Sequence, residues 1–188
     1  DMIGLGLPGY DDSVPQTERD VEFARRIFEE KNISELTLTT SEITPGINGS
    51  SELVKQQLAD AGVTLNLENF DPTAYYTDMS VLMQKPFYIT YYVNRPVEAS
   101  LPFMSGPTSP YNMSGFTSPA LESAMDSAQR EMDPVKRQQF YDAASRELHD
   151  NGGELIWGYR KGINGIAKGV RIPSITQGMP LLADASYE

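Results

Sequence analysis

The chain has 188 residues, 39% of them hydrophobic and 22% charged, with 15 Lys+Arg against 26 Asp+Glu for a net charge of −11. That length and balance suit one folded domain and stand apart from the charge-rich, apolar-poor composition of disordered chains. The acidic surplus argues against nucleic acid and anionic membranes as partners, and the lack of cysteine excludes disulfides, thiol nucleophiles and Cys-ligated metal sites.

The opening Asp1-Met2-Ile3-Gly4 reads as cut from something longer, without the basic and apolar regions of a signal peptide. Residues 4–16 hold Gly, Pro, Asp and Ser without periodicity and read as a linker. Gly4, Gly6 and Gly9 match G-x-G-x-x-G in letters. Dinucleotide binding needs a strand before that motif and a helix after it, and neither is predicted here. Thr17 and Asp20 stand three apart as a capping box, so a helix is predicted with Val21, Phe23, Ala24, Ile27 and Phe28 as its apolar stripe.

Leu36 to Thr40 alternates apolar residues with Thr and predicts a strand, followed by a loop over 44–50. A helix over 51–61 stops at Gly62, and Val63 to Glu68 alternates as a second strand. Asp71-Pro72 predicts a third helix, with Tyr75, Met79 and Leu82 on one face. Phe87 to Val93 reads as a strand, and 94–117 as a long loop of the kind that carries function in compact domains. Ser118-Pro119 and Asp133-Pro134 each predict a helix start. Leu121, Met125, Ala128 and Met132 face inward from the first, and Phe140, Tyr141, Ala144 and Leu148 from the second. Gly152-Gly153 ends that second helix. Glu154 to Tyr159 reads as a last strand with Trp157 in the core. The alternation of elements is that of an α/β domain.

His149, the lone histidine, sits beside Asp150 at a helix end, where a capping or solvated role suffices. No Gly-x-Ser-x-Gly elbow accompanies it, and scattered carboxylates do not build a metal site. Asp11-Asp12 reads as a solvated turn. No catalytic residue, metal or cofactor is expected. The run Phe87-Tyr88-Ile89-Thr90-Tyr91-Tyr92 would place Tyr88, Thr90 and Tyr92 on one strand face and Phe87, Ile89 and Tyr91 on the other. These residues are either sheet core or, where the run meets the long loop, a stacking platform for a ligand. Arg95 is then a charged donor beside the platform, with a salt bridge to Glu98 as its structural alternative.

Several stretches are similar to a known family. Lys85 to Tyr92 with Asn94-Arg95-Pro96, Asn112 to Leu121, Ala128 to Tyr141, and Glu35 to Phe70 resemble segments of the bacterial extracellular solute-binding proteins of family 5. These are the dipeptide, oligopeptide and nickel receptors of ABC importers. The resemblance implies a type II periplasmic-binding-protein lobe, an α/β fold with a mixed β-sheet flanked by helices. It implies that 1–188 is a single domain, the C-terminal lobe, with 1–16 and 171–188 as straps to an N-terminal lobe absent here. Such a lobe is no enzyme. It binds a peptide or small solute by two-lobe closure and delivers it to ABC permease subunits, in the periplasm or at the extracellular face of the membrane. The family's pocket-wall Trp and Asp match Tyr92 and Ala99 here, or Glu98 if the loop shifts by one. Ala99 removes the counter-charge for an ammonium group. Tyr91, Tyr92, Asn94, Arg95 and Glu98 are the expected ligand contacts. The alternatives are a glycan-active enzyme with paired carboxylates, or a protein-interaction module with a flat apolar patch.

Overall fold

In a computed structural model, which describes residues 4–93, 95–173, 175–176 and 179–187, the two alternating segments form strands β1 (Glu35–Thr40) and β2 (Thr64–Asn69). They pair in parallel, with Leu38 opposite Leu67. Parallel neighbours cannot share a tight turn, so the intervening chain must cross over, and it does so as helix α2 (Ile47–Asp60). Leu38, Ile47, Ala61, Val63 and Leu65 are each at most 4% exposed and make the core of this β-α-β unit. Each large aliphatic side chain so buried contributes about 1.5–3 kcal/mol. Gly62 leaves the helix at φ +83°, the left-handed conformation expected of it.

Helix α2 begins at Ile47, inside the predicted loop. Gly46 turns the chain at φ +97°, and the Glu42 carboxylate accepts the backbone N–H groups of Gly46 and Asn48, both at 2.7 Å. A side chain outside the helix thus satisfies donors that a local cap would otherwise take. Helix α1 (Val21–Glu30) starts later than predicted. Asp20, a stronger cap than Thr17, accepts from the Phe23 N–H at 2.8 Å. Phe23 is exposed and not part of a buried stripe.

The helix predicted from Asp71-Pro72 is divided. Asp71 holds only a turn through the Thr73 N–H, and Asp78 recaps a one-turn helix, α3 (Met79–Leu82), through the N–H groups of Ser80 and Val81. Each Asp satisfies its own neighbours, so the two turns do not merge. The strand predicted over Phe87–Val93 shrinks to a single parallel bridge at Tyr88. There Thr39 N donates to Phe87 O and Ile89 N donates to Thr39 O, both at 3.0 Å. Side chains hold the rest: the Tyr75 hydroxyl reaches the carbonyls of Ile89 (2.7 Å) and Thr39 (3.0 Å).

The chain divides into two compact units, Gln16–Tyr92 and the described parts of Asp1–Pro15 with Val93–Glu188, where the sequence reading takes one domain. In the second, part of the predicted long loop is helix α4 (Val97–Ser105), which buries Val97, Leu101 and Met104 despite Pro102. Helices α5 (Pro119–Arg130) and α6 (Pro134–Asn151) start at Ser118 and Asp133 as predicted. They pack as a hairpin through Leu121, Met125 and Ala128 against Tyr141, Ala144 and Leu148. Met132 lies past the end of α5 and is exposed, and Phe140 is only half-buried.

Asp11 is buried at 6% exposure rather than solvated. It accepts from the Ser13 N–H and hydroxyl, and its other oxygen lies 3.5 Å from Arg146 Nε of α6. Burial alone would raise its carboxyl, but the Ser13 hydrogen bonds and the Arg146 charge hold it below the usual range. Glu154–Tyr159 forms no strand, because among the described residues no neighbouring strand offers it a ladder, and Trp157 is 59% exposed instead of core. Two small antiparallel pairs close the chain, β3 (Val170–Arg171) with β6 (Ser186–Tyr187) and β4 (Ile175–Thr176) with β5 (Met179–Pro180). The proposed straps 1–16 and 171–188 lie partly outside the described residues.

The Asp133 cap is open to test. Its carboxylate accepts from Val135 N at 2.9 Å and Lys136 N at 3.3 Å. Asp133→Ala should cost about 1 kcal/mol in denaturant titration, and an unchanged midpoint would mean that water caps α6 equally well.

Candidate functional site

In the β-α-β unit both strands point their carboxyl ends toward the start of α2, the end of an open α/β sheet where ligands collect. A hollow of about 400 Å³ lies there, lined by Thr40, Asn48, Gly49, Glu52, Leu67 and Asn69. That volume is within the range of small-molecule sites. A second hollow beside Phe70, Tyr75 and Lys85 holds about 160 Å³ and falls below that range.

The lining of the larger hollow is held firmly. The Thr40 and Ser51 hydroxyls hydrogen-bond at 2.9 Å, and the Ser51 hydroxyl also lies within donating distance of Ile47 O at 3.0 Å. This ties the strand end to the first turn of α2. Asn48 Oδ1 is buried and accepts no hydrogen bond among the described residues. The two hydrogen bonds from Asn48 and Gly46 hold the Glu42 carboxyl below the usual carboxylate range. Among the described residues no three His, Asp or Glu side chains gather as metal ligands.

The aromatic run is fastened to this unit from one side. Tyr75 packs edge-on against Phe70 and Tyr76, and the Tyr76 hydroxyl meets Thr90 Oγ1 at 3.0 Å. Burial pushes both phenols up. Residues 87–90 are all half-buried, so the run has no clean core face and solvent face. Tyr91 is half-exposed at 49%, and Tyr92 is half-buried.

Of the expected contacts, Tyr91 and Tyr92 end the first unit, while Arg95 and Glu98 belong to the second. Asn94 lies outside the described residues. Glu98 is exposed in the first turn of α4. The Arg95–Glu98 salt bridge does not form: Arg95 makes no ion pair among the described residues. Its guanidinium instead lies 4.3 Å over the Phe103 ring centroid and donates to Val93 O at 3.2 Å. The sequence reading missed Phe103, because α4 was hidden in a segment rich in Pro and Gly. The spacing of Val97, Leu101 and Met104 is the signal that could have found it. It also missed the Thr40, Asn48 and Asn69 hollow, whose signal is a strand end followed by a glycine turn.

No family model matches the sequence, and no curated protein matches it. Solved structures do. MoaA from A. tumefaciens R10, solved with mannopinic acid, aligns over 80% of this chain and 32% of its own, with a TM-score of 0.68 and 21% identity. DppA from Helicobacter pylori, an ABC transporter-associated periplasmic binding protein solved with the peptide STSA, aligns over 79% and 30%, at 0.66 and 18%. The ABC transporter substrate binding protein CtaP from Listeria monocytogenes aligns over 78% and 31%, at 0.64 and 18%. The chain has the fold of ABC transporter substrate-binding proteins. It spans about a third of the length of these structures. The α/β binding-protein fold expected from the resembling segments is therefore present, at an identity that speaks for fold alone.

The Glu42 cap gives this region a pH signature. A carboxylate whose folded pKa is depressed contributes fully above its ordinary value near 4.5, and the contribution is lost as pH falls through the depressed value. Glu42→Gln should flatten that part of the acid limb in melting curves. At pH 6 the variant should also speed amide exchange at Gly46 and Asn48. Equal exchange in both proteins would show that solvent serves α2 as well as Glu42 does.

Proposed function

We propose that the chain is the C-terminal solute-binding lobe of an ABC importer's receptor, taking peptides or related small solutes. The observation that carries this reading is a fold shared with binding proteins about three times as long, aligned over most of this chain. One lobe of a two-lobe receptor would align in that way. The hollow at the carboxyl ends of β1 and β2 adds support, being of solute size and lined by neutral amides, a hydroxyl and one carboxylate.

Function then consists of binding, with no covalent step. The solute fits the closed arrangement of two lobes better than the open one and shifts the population by that difference in affinity. An N-terminal lobe, reached through 1–16 and 171–188, supplies the opposite wall. ABC permease subunits receive the closed form at the periplasmic or extracellular face of the membrane. Tyr91 and Tyr92 offer ring faces to the apolar parts of the solute. Asn94 and Glu98 offer polar groups, and Arg95 takes an anionic one.

Calorimetry on the 188-residue chain should give no response near micromolar to peptides, opines, sugars or nickel, because half of the cleft is absent. A sub-micromolar response to any of them would overturn the half-site. In the complete receptor, Arg95→Ala should lose roughly 1.5–3 kcal/mol of affinity, the range for hydrogen bonds to charged groups, with little change in the apo Tm. Retained affinity with earlier melting would make Arg95 structural.

A further inference from the structure

Arg95 is surrounded by more support than a solvated arginine needs. Its guanidinium covers the face of Phe103, and Phe103 stacks on Tyr111 with centroids 4.3 Å apart and planes 20° apart. Hydrogen bonds fix the backbone on both sides of this stack. The buried Ser100 hydroxyl donates to Arg95 O at 2.8 Å. Ser109 links the backbones of the two aromatic residues: its hydroxyl donates to Phe103 O at 2.5 Å and accepts from Tyr111 N at 3.2 Å.

The chemistry left open by this arrangement is specific. A guanidinium has five N–H donors in one plane. The Phe103 ring centroid lies 4.3 Å from the guanidinium carbon, and Val93 O takes one donor from Nη1, which leaves further N–H donors on the group. Although acids outnumber bases 26 to 15 in the chain, no carboxylate pairs with Arg95 among the described residues. A planar carboxylate can meet two of the remaining donors with parallel hydrogen bonds. A side chain already oriented in the free protein also loses less freedom on binding than a mobile one.

We propose that Phe103, Tyr111 and Ser109 are positioning residues that present Arg95, already oriented, to a carboxylate of the solute. This deepens the proposed function and rests on its reading of Arg95 as a ligand contact. The solute class it names is carboxylate-bearing, and the stack makes Arg95 more selective for a planar anion than a free side chain would be.

The test follows the Arg95 Nε–Hε signal in ¹⁵N-labelled 188-residue chain during titration with sodium acetate, acetamide and inorganic phosphate at matched ionic strength. Acetate should move that signal downfield and saturate, and acetamide should leave it in place. Phe103→Leu should shift the signal out of the ring's shielding and weaken acetate roughly three- to fivefold, the scale of one cation–π contact. Phe103→Trp should restore both. The half-exposed Tyr111 allows a second variant with little risk to folding, and Tyr111→Ala should weaken acetate in the same direction. A merely structural stack would lower the Tm in these variants and leave acetate affinity unchanged, which would overturn the proposal. A wild-type signal unmoved by acetate, or phosphate bound more tightly than acetate, would overturn it as well. A receptor that binds solute while Arg95 ignores acetate fails this inference alone. A complete receptor that binds no solute fails the broader reading.

Discussion

Among the described residues β1 has backbone partners on both sides, and Thr39 is where the two sets meet. Along one edge it pairs with β2 through the whole strand. On the other, only Thr39 bonds the segment around Tyr88, and its carbonyl is also within reach of the Tyr75 hydroxyl. Its side chain donates to Glu68 at 2.8 Å, and Glu68 is in turn paired with Lys85. One residue thus connects the strand pair, the turn after β2 and the aromatic run. With Thr39 only 3% exposed, these bonds are largely shielded from competing water. The position of Tyr91 and Tyr92 depends on them.

What could be read from the sequence follows a simple division. Most signals contained within a few residues came through, namely the alternation in β1 and β2, Gly62 after α2, and the Ser118 and Asp133 caps, whereas Thr17 and Asp71-Pro72 gave way to the stronger or later caps Asp20 and Asp78. Signals that depend on a distant partner did not. Glu42 caps α2 from outside the helix. The run 87–92 has the composition of a strand, yet Tyr75 and Tyr76 bond it by side chains and leave one bridge. Glu154–Tyr159 alternates as a strand would, but a strand requires a neighbour, and none is present among the described residues. The candidate site divides in the same way. Arg95 could be placed beside an aromatic pair by order in the chain, whereas the ring it stacks on lies one helix later.

The acidic surplus also has a structural share. Asp20, Glu42, Asp71, Asp78 and Asp133 each accept backbone N–H groups at the start of a helix or turn. These backbone bonds hold the Glu42 carboxyl below its ordinary range, while those of Asp71 and Asp78 are lowered first by the Thr73 and Ser80 hydroxyls and then by the backbone N–H groups. All three therefore favour the folded chain at neutral pH and lose that effect on acidification. Negative charge near a helix N-terminus is also favourable to the helix dipole. The excess of acids is thus partly a way of starting helices and turns, and not only a property of the surface.

The chain's single tryptophan, Trp157, stands 59% exposed in a segment without helix or strand. Its emission therefore reports on water around residues 154–159 and is nearly blind to the cores of both units. Intrinsic fluorescence would be a poor gauge of denaturation here, since the indole is already wet in the native state. The buried Tyr75 and Tyr141 rings are better placed to register loss of packing. The same indole becomes a sensitive optical marker for anything that covers this ribbon, because its spectrum would move to the blue while the tyrosine signal stayed still.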